Sequence, residues 1–225
     1  MRGYRQGGLA MCVVLGLLAC TAALTMGASF RDVPPTIGAY TLRDGEWQIG
    51  VGMGFLFLPM SYDASVSVAY GITSWFMAGI AVSHGVQPGP PPAYMSYDFS
   101  AKLRLPLGSA LDLGLPLGAW FYDEGYGIAA GGLGSGAVLS LKMGAGLTVH
   151  GGAAVGTVRA KGWYFQPYII ADFDLLPNLK LVGEVGLLPV SVAVGAWLRV
   201  LDFMDLKLAL APLALSFTGG LYLRF

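Results

Sequence analysis

The sequence predicts an all-β chain, a transmembrane antiparallel β-barrel of about twelve strands, with ten or fourteen also open. Three observations carry this expectation: a composition too apolar for an ordinary soluble domain, apolar runs that are poor membrane helices, and a two-residue alternation whose charges keep phase within each strand. Of the 225 residues 55% are hydrophobic and only 12% are charged, and the mean hydropathy is +0.64. Thirteen basic and thirteen acidic residues cancel, so no net field exists to attract nucleic acid. The expected surroundings are lipids.

The chain opens MRGYRQGGLAMCVVLGLLACTAALTMGA, with Arg2 and Arg5 before an apolar run that ends in small residues. That order predicts a signal peptide over 1–28, cleaved after Ala28. Two alternatives stand beside it. The uncharged stretch from Leu9 to Ala28 approaches the length of a single spanning anchor, and Leu17-Leu18-Ala19-Cys20 resembles a lipoprotein cleavage box that would lipidate Cys20. Cys12 and Cys20 are the two cysteines of the sequence, so a chain cut after Ala28 uses neither disulfides nor thiolate metal ligands. Residues 29–44 are expected as a periplasmic lead and 45–225 as the barrel.

A spanning helix needs about 20 apolar residues, a tilted spanning strand about 9 to 11. The uncharged run from Ala64 to Val82 is long enough for a helix, but Ser65, Ser67, Thr73 and Ser74 dilute it and Gly71 and Gly79 weaken it. Other long runs are rich in glycine or broken by Pro189 and Pro212.

Taken in order, strands are expected at 45–57, 61–72, 75–84, 94–105, 109–122, 134–142, 145–157, 163–174, 178–187, 190–200, 204–211 and 214–225. An even count closes without an unpaired edge and returns both termini to the periplasm. External connections then fall near 58–60, 85–93, 123–133, 158–162, 188–189 and 212–213. Two of them, HGVQPGPPPA and DEGYGIAAGGLGSG, are stiff and Gly-rich respectively, and suit surface contacts or gating. The fourth strand shows the alternation best: Met95, Tyr97, Phe99, Ala101, Leu103 and Leu105 alternate with Ser96, Asp98, Ser100, Lys102 and Arg104.

Where a strand carries several charges they share one parity: Asp98, Lys102 and Arg104; Asp172 with Asp174; Lys180 with Glu184; Asp205 with Lys207. Random parity would give this roughly once in thirty trials. The cause is energetic, because Arg or Lys facing mid-bilayer lipid costs about 2–4 kcal/mol. Trp47, Phe57, Tyr62, Trp75, Tyr94, Tyr122 and Trp163 fall near strand ends, as aromatic girdles would.

Parity across the periplasmic turns sets Arg104 opposite Asp112, Asp174 opposite Lys180 and Arg199 opposite Asp205, and closure brings Arg224 near Glu46. These eight residues form an expected lumen charge ring. It either narrows the passage or fixes strand register, since cross-strand opposite charges contribute roughly 0.2–1 kcal/mol each. The outer half of the interior reads Gly52, Gly54, Ser65, Ser67, Gly79, Ala81, Gly152, Ala154, Ala193 and Gly195, which leaves space.

Catalytic, cofactor-binding and metal motifs are not found: His84 and His150 are the two histidines, and no His-Glu-x-x-His, Cys-x-x-Cys or phosphate-binding Gly-Lys-Ser/Thr loop occurs. Ser83 and His84 are neighbours on opposite faces, so they do not form a nucleophile pair. No cofactor and no enzymatic activity are expected.

The chain ends TGGLYLRF. This resembles the C-terminal β-signal of bacterial outer-membrane proteins, whose polar, glycine and hydrophobic or aromatic positions are filled by Thr218, Gly220, Leu223 and Phe225. The resemblance implies recognition by the barrel-assembly machinery and residence in the bacterial outer membrane. AYTLRDGEWQIGVG and AYGITSW are similar to the opening hairpins of uncharacterised outer-membrane barrels. The expectation is a passive channel or transporter for small solutes; the alternatives are a closed structural or interaction barrel acting through its loops and, remotely, a lipid-modifying enzyme.

Overall fold

The computed structural model describes residues 38–57, 60–86, 93–123, 128–158, 162–188 and 190–225. The expected leader, 1–28, and its alternatives at Cys20 lie outside the described residues, as do the first nine residues of the expected lead.

Twelve strands close into an antiparallel barrel: β1 (Trp47–Phe57), β2 (Met60–Thr73), β3 (Phe76–Val86), β4 (Ala93–Pro106), β5 (Leu111–Asp123), β6 (Ile128–Gly144), β7 (Leu147–Val158), β8 (Gly162–Leu176), β9 (Leu179–Leu187), β10 (Val190–Leu201), β11 (Met204–Ala211) and β12 (Ser216–Arg224). Each strand pairs with its sequence neighbours. Closure comes from β1 against β12, in register from Gln48 opposite Arg224 to Leu56 opposite Ser216. Beyond the ladder, the backbones of Trp47 and Phe225 exchange two hydrogen bonds of 2.9 Å. Among the described strands no edge is left for lipid to meet.

Strand limits match the sequence expectation to within about two residues, with one exception. β6 starts at Ile128, inside the stretch expected as the loop 123–133. Gly131 and Gly132 pair with Phe121 and Trp120 of β5, and a Cβ on Gly132 would collide with the Trp120 indole. The glycines look like loop in one dimension, but in the sheet they make room for aromatic rings on the adjacent strand.

Inward positions are even in β1, odd in β2 and β3, even from β4 to β9, odd in β10 and β11, and even in β12, as the alternating burial of the strands shows. Every charged residue within the described strands points inward except Asp123 at the outer end of β5. The outward face is an apolar band that includes Ile49, Val51, Val66, Ile80, Phe99, Ile169, Val194 and Leu208, all exposed on the isolated barrel. Facing water, that surface would be strongly unfavourable; facing acyl chains, it is what a bilayer requires. Trp47, Phe57, Tyr62, Trp75 and Trp163 lie outward near strand ends. Tyr94 differs from the girdle expectation: it is buried in the lumen, its ring filling the space beside Gly85. The Tyr122 side chain lies outside the described residues.

The end holding both described termini is closed by tight turns at 74–75, 107–110, 145–146, 177–178 and 202–203. Ala145 and Gly146 both have positive φ, 49° and 77°, the geometry of a primed hairpin turn whose twist matches the strands. Ala145 accepts the left-handed region despite its Cβ because the β6–β7 ladder on either side fixes the turn.

Candidate functional site in the barrel lumen

The main departure from the sequence expectation is the lead itself. Residues 38–43 do not lie beside the barrel mouth; they run up inside it. Ala39 and Leu42 are completely buried. The segment touches the wall on widely separated strands: the Ala39 amide donates to Ser140 Oγ of β6 at 2.8 Å, Lys102 Nζ of β4 donates to the Gly38 carbonyl at 3.0 Å, and Thr41 Oγ1 donates to the Ser74 carbonyl at 2.9 Å. Two wall glycines allow the approach. A Cβ on Gly114 would sit 2.6 Å from Ala39 Cα, and one on Gly71 would collide with the Arg43 carbonyl. Small residues on the segment and a glycine-notched wall let two backbones meet, and the buried amides find partners.

Behind Ala39 lies a polar chain across four strands, β6 to β9. Ser140 Oγ is 2.7 Å from His150 Nδ1 of β7, His150 Nε2 is 2.5 Å from Asp172 Oδ2 of β8, and Lys180 Nζ of β9 binds Asp172 Oδ1. Ser140 and His150 are fully buried and Asp172 nearly so. Asp172 accepts from His150 Nε2, which carries a proton, and the Ser140 oxygen accepts from the Ala39 amide on one side and is hydrogen-bonded to His150 Nδ1 on the other. The chain connects the segment's amide to the Asp172 carboxylate.

Ser, His and Asp are also the residue types of a hydrolytic triad. Here the serine oxygen is fully buried and accepts from the Ala39 amide, so in this structure it holds the segment. Sequence reading missed this trio, although a signal existed: 140, 150 and 172 share the inward parity, and Ser140 faces His150 across the β6–β7 hairpin. Among the described residues no group of three metal-ligating side chains forms a metal site.

The eight expected ring residues all lie at the periplasmic end, in three groups. Arg104 Nε meets Asp112 Oδ1 at 2.9 Å, although the ladder sets Arg104 opposite Gly114 and Asp112 opposite Pro106. The pair is therefore diagonal, a correction to the direct pairing expected from parity: the 107–110 turn adds two positions to the register, and the long arginine side chain spans the offset. Asp174 is opposite Lys180 at 3.3 Å, while Lys180 also binds the buried Asp172. The remaining four form one chain: Arg224 reaches Glu46 at 3.8 Å and Asp205 at 3.0 Å, and Asp205 meets Arg199 at 3.6 Å. Glu46 also accepts from the Arg43 amide at 2.9 Å.

Tyr40 sits between these groups, edge-on to His150 with ring centroids 5.8 Å apart. Arg104 and Lys142 lie 5.3 and 5.5 Å from its ring centroid, within reach of cation–π attraction. Burial, reinforced by the nearby Asp112 carboxylate, raises the Tyr40 phenol above its ordinary value, so it stays neutral. Toward the outer end most inward residues are small, such as Gly52, Ser65, Gly79, Ala154 and Gly195, but Leu56, Tyr94, Trp120, Gln166 and Tyr168 also point into the lumen, as do the acidic Asp63, Asp98 and Glu184. In the described strands, each inward Lys and Arg lies on the periplasmic half of its strand.

The C-terminal residues take two roles. Thr218 and Gly220 of β12 face inward, opposite Gly54 and Gly52 of β1, and Leu223 is outward, opposite Ile49. Phe225 follows the strand and pairs with Trp47.

No family model matches the sequence, and no curated protein matches it. Solved structures do match the fold. An outer membrane channel from Pseudomonas putida F1 superposes with a TM-score of 0.65 at 11% identity, over 87% of this chain and 100% of that one. The KdgM porin gives 0.59 at 7% identity, over 79% of this chain and 98% of its own, and the NanC porin gives 0.59 at 7%, over 78% and 98%. At such low identity the likeness is one of fold: this chain is a closed twelve-stranded barrel of the kind found in bacterial outer-membrane porins and channels, with the apolar exterior that membrane demands.

Proposed function

We propose that this protein is a passive outer-membrane channel for small solutes, with selectivity set where the lumen narrows at its periplasmic end. The observation that carries the reading is the contrast along one lumen: mostly small inward side chains in the outer half, interrupted by Tyr94, Trp120 and Tyr168, and beneath them the grouped charges Glu46, Arg104, Asp112, Asp174, Lys180, Arg199, Asp205 and Arg224. Small side chains leave space that an eight-stranded barrel would fill, and twelve strands give an interior between the filled and the aqueous extremes. Ion pairs at a constriction leave few free charges to trap an ion, which suits uncharged or weakly charged solutes.

In this reading the C-terminal signal, Thr218, Gly220, Leu223 and Phe225, delivers the chain to the barrel-assembly machinery. The two Trp47–Phe225 hydrogen bonds then complete the seam. A second reading, a closed structural barrel acting through its external loops, is favoured by the segment lying in the lumen.

Planar-bilayer recording of the refolded protein separates the two: discrete current steps are expected of the channel, and a folded, electrically silent barrel that also fails to pass sugars in liposome swelling would refute it. Neutralising both members of Arg104–Asp112 and of Arg199–Asp205 should leave the barrel folded and raise permeability. Unchanged permeability would count against a selective constriction.

A further inference from the structure

We propose that residues 38–43 are a gate, a segment of the chain's own lead that closes the lumen from the periplasmic side and leaves it when a few polar contacts are loosened. The inference rests on the channel reading above.

The strands are held by continuous backbone ladders, but the segment is held differently. Its hold includes the Ala39–Ser140 bond, the Lys102–Gly38 bond and the Thr41–Ser74 bond, together with the packing of Tyr40 against His150. None of these contacts is part of the barrel's ladder, so removing the segment leaves the wall intact. Elements with few ladder bonds open locally at a fraction of the global unfolding free energy.

A pivot is present. Gly45, with φ at 74°, donates to the Gly71 carbonyl at 2.8 Å, and the Glu46 amide donates to the Arg43 carbonyl at 3.1 Å. These bonds anchor the base of the segment to the barrel rim, while the residues before it reach inward. Ser140 is the catch. Its oxygen is held in place by the buried His150–Asp172–Lys180 chain, 2.7 Å from His150 Nδ1 and 2.8 Å from the Ala39 amide that it accepts from. Lys102 supplies the second hold, at the carbonyl of the preceding residue.

The test introduces one thiol inside the segment at a fully buried position whose side chain makes none of these hydrogen bonds, Leu42→Cys, in the full chain, and follows its labelling by a membrane-impermeant maleimide. The modification at position 42 is read by peptide mass, so Cys12 and Cys20 do not interfere. In the otherwise unaltered barrel the thiol should react slowly. Adding Ser140→Ala and Lys102→Met removes two of the three hydrogen-bond holds and should raise the labelling rate roughly a hundredfold, the product of one neutral and one charged hydrogen bond, with a matching rise in single-channel conductance. Gly114→Leu is the second variant: it leaves every charge in place and puts a side chain where Ala39 lies. Folding of each is checked by heat-modifiable migration on gels.

A thiol that stays protected in both folded variants overturns the proposal. A thiol that becomes exposed while conductance through a conducting barrel stays unchanged overturns the gate but leaves the channel reading standing. An exposed thiol with no conductance in any form refutes the channel reading and the gate with it.

Discussion

Asp172→Asn and Asp174→Asn make the same chemical change two residues apart on β8, and both touch Lys180. Their consequences should differ sharply. Asp174 is directly opposite Lys180 in the ladder, but its side chain is 54% exposed and its ion pair is 3.3 Å long. An exposed pair of that kind contributes about 0–1 kcal/mol. Asp172 is 1% exposed and accepts from both His150 and Lys180. Breaking a buried pair costs about 3–5 kcal/mol because the remaining partner is left uncompensated. Two features reduce that figure here: Lys180 is 30% exposed and keeps Asp174, and the asparagine oxygen can still accept from His150. The expected loss is therefore about 2–3 kcal/mol. Urea unfolding of the barrel in lipid vesicles, followed by tryptophan fluorescence, measures both variants under one condition. An Asp174→Asn loss equal to or larger than that of Asp172→Asn would refute the reasoning, because it would mean that ladder register and not burial governs these charges.

Asp63 and Asp98 face the outer lumen, whereas the inward cations of the described strands lie on the periplasmic side; an open pore should therefore prefer cations, with a reversal potential in a salt gradient that shifts toward zero in Asp63→Asn/Asp98→Asn and at high ionic strength. An anion preference in the unaltered protein would contradict this. Val66→Arg and Ser67→Arg compare neighbouring positions at the middle of β2: the first, facing lipid, should cost about 2–4 kcal/mol in the same unfolding assay, and the second, facing the lumen, much less. Equal costs would mean that the inward and outward faces have been assigned wrongly.

Much of this barrel is visible in the sequence because its signals are local. The parity shared by Asp98, Lys102 and Arg104 needs only one strand and a lipid face to penalise charge. The limits of β11, 204–211, coincide with expectation because turn residues end the alternation on both sides. Local signals fail where a residue's reason lies on another strand. Gly131 and Gly132 look like loop until Trp120 and Phe121 are placed beside them, and Tyr94 looks like a girdle residue until Gly85 opens a space for it in the lumen. Arg104 and Asp112 find each other, but diagonally, because the turn between them shifts the register by an amount that parity cannot count.

The sequence by itself determined the membrane class, the strand positions and the face each charge takes, since a period of two and a lipid penalty act along one strand at a time. The contents of the lumen were decided only by the closed barrel. Ala39 and Ser140 are separated by 101 positions, and Ser140, His150, Asp172 and Lys180 become one chain only when four strands stand side by side. Arg224, Glu46, Asp205 and Arg199 join for the same reason, once β12 meets β1. No periodicity marks residues 38–43 as an internal segment. Their place follows from a glycine-notched wall and from inward polar groups, Ser140 and Lys102, that come together only after closure, when buried amides and carboxylates must be matched across the interior.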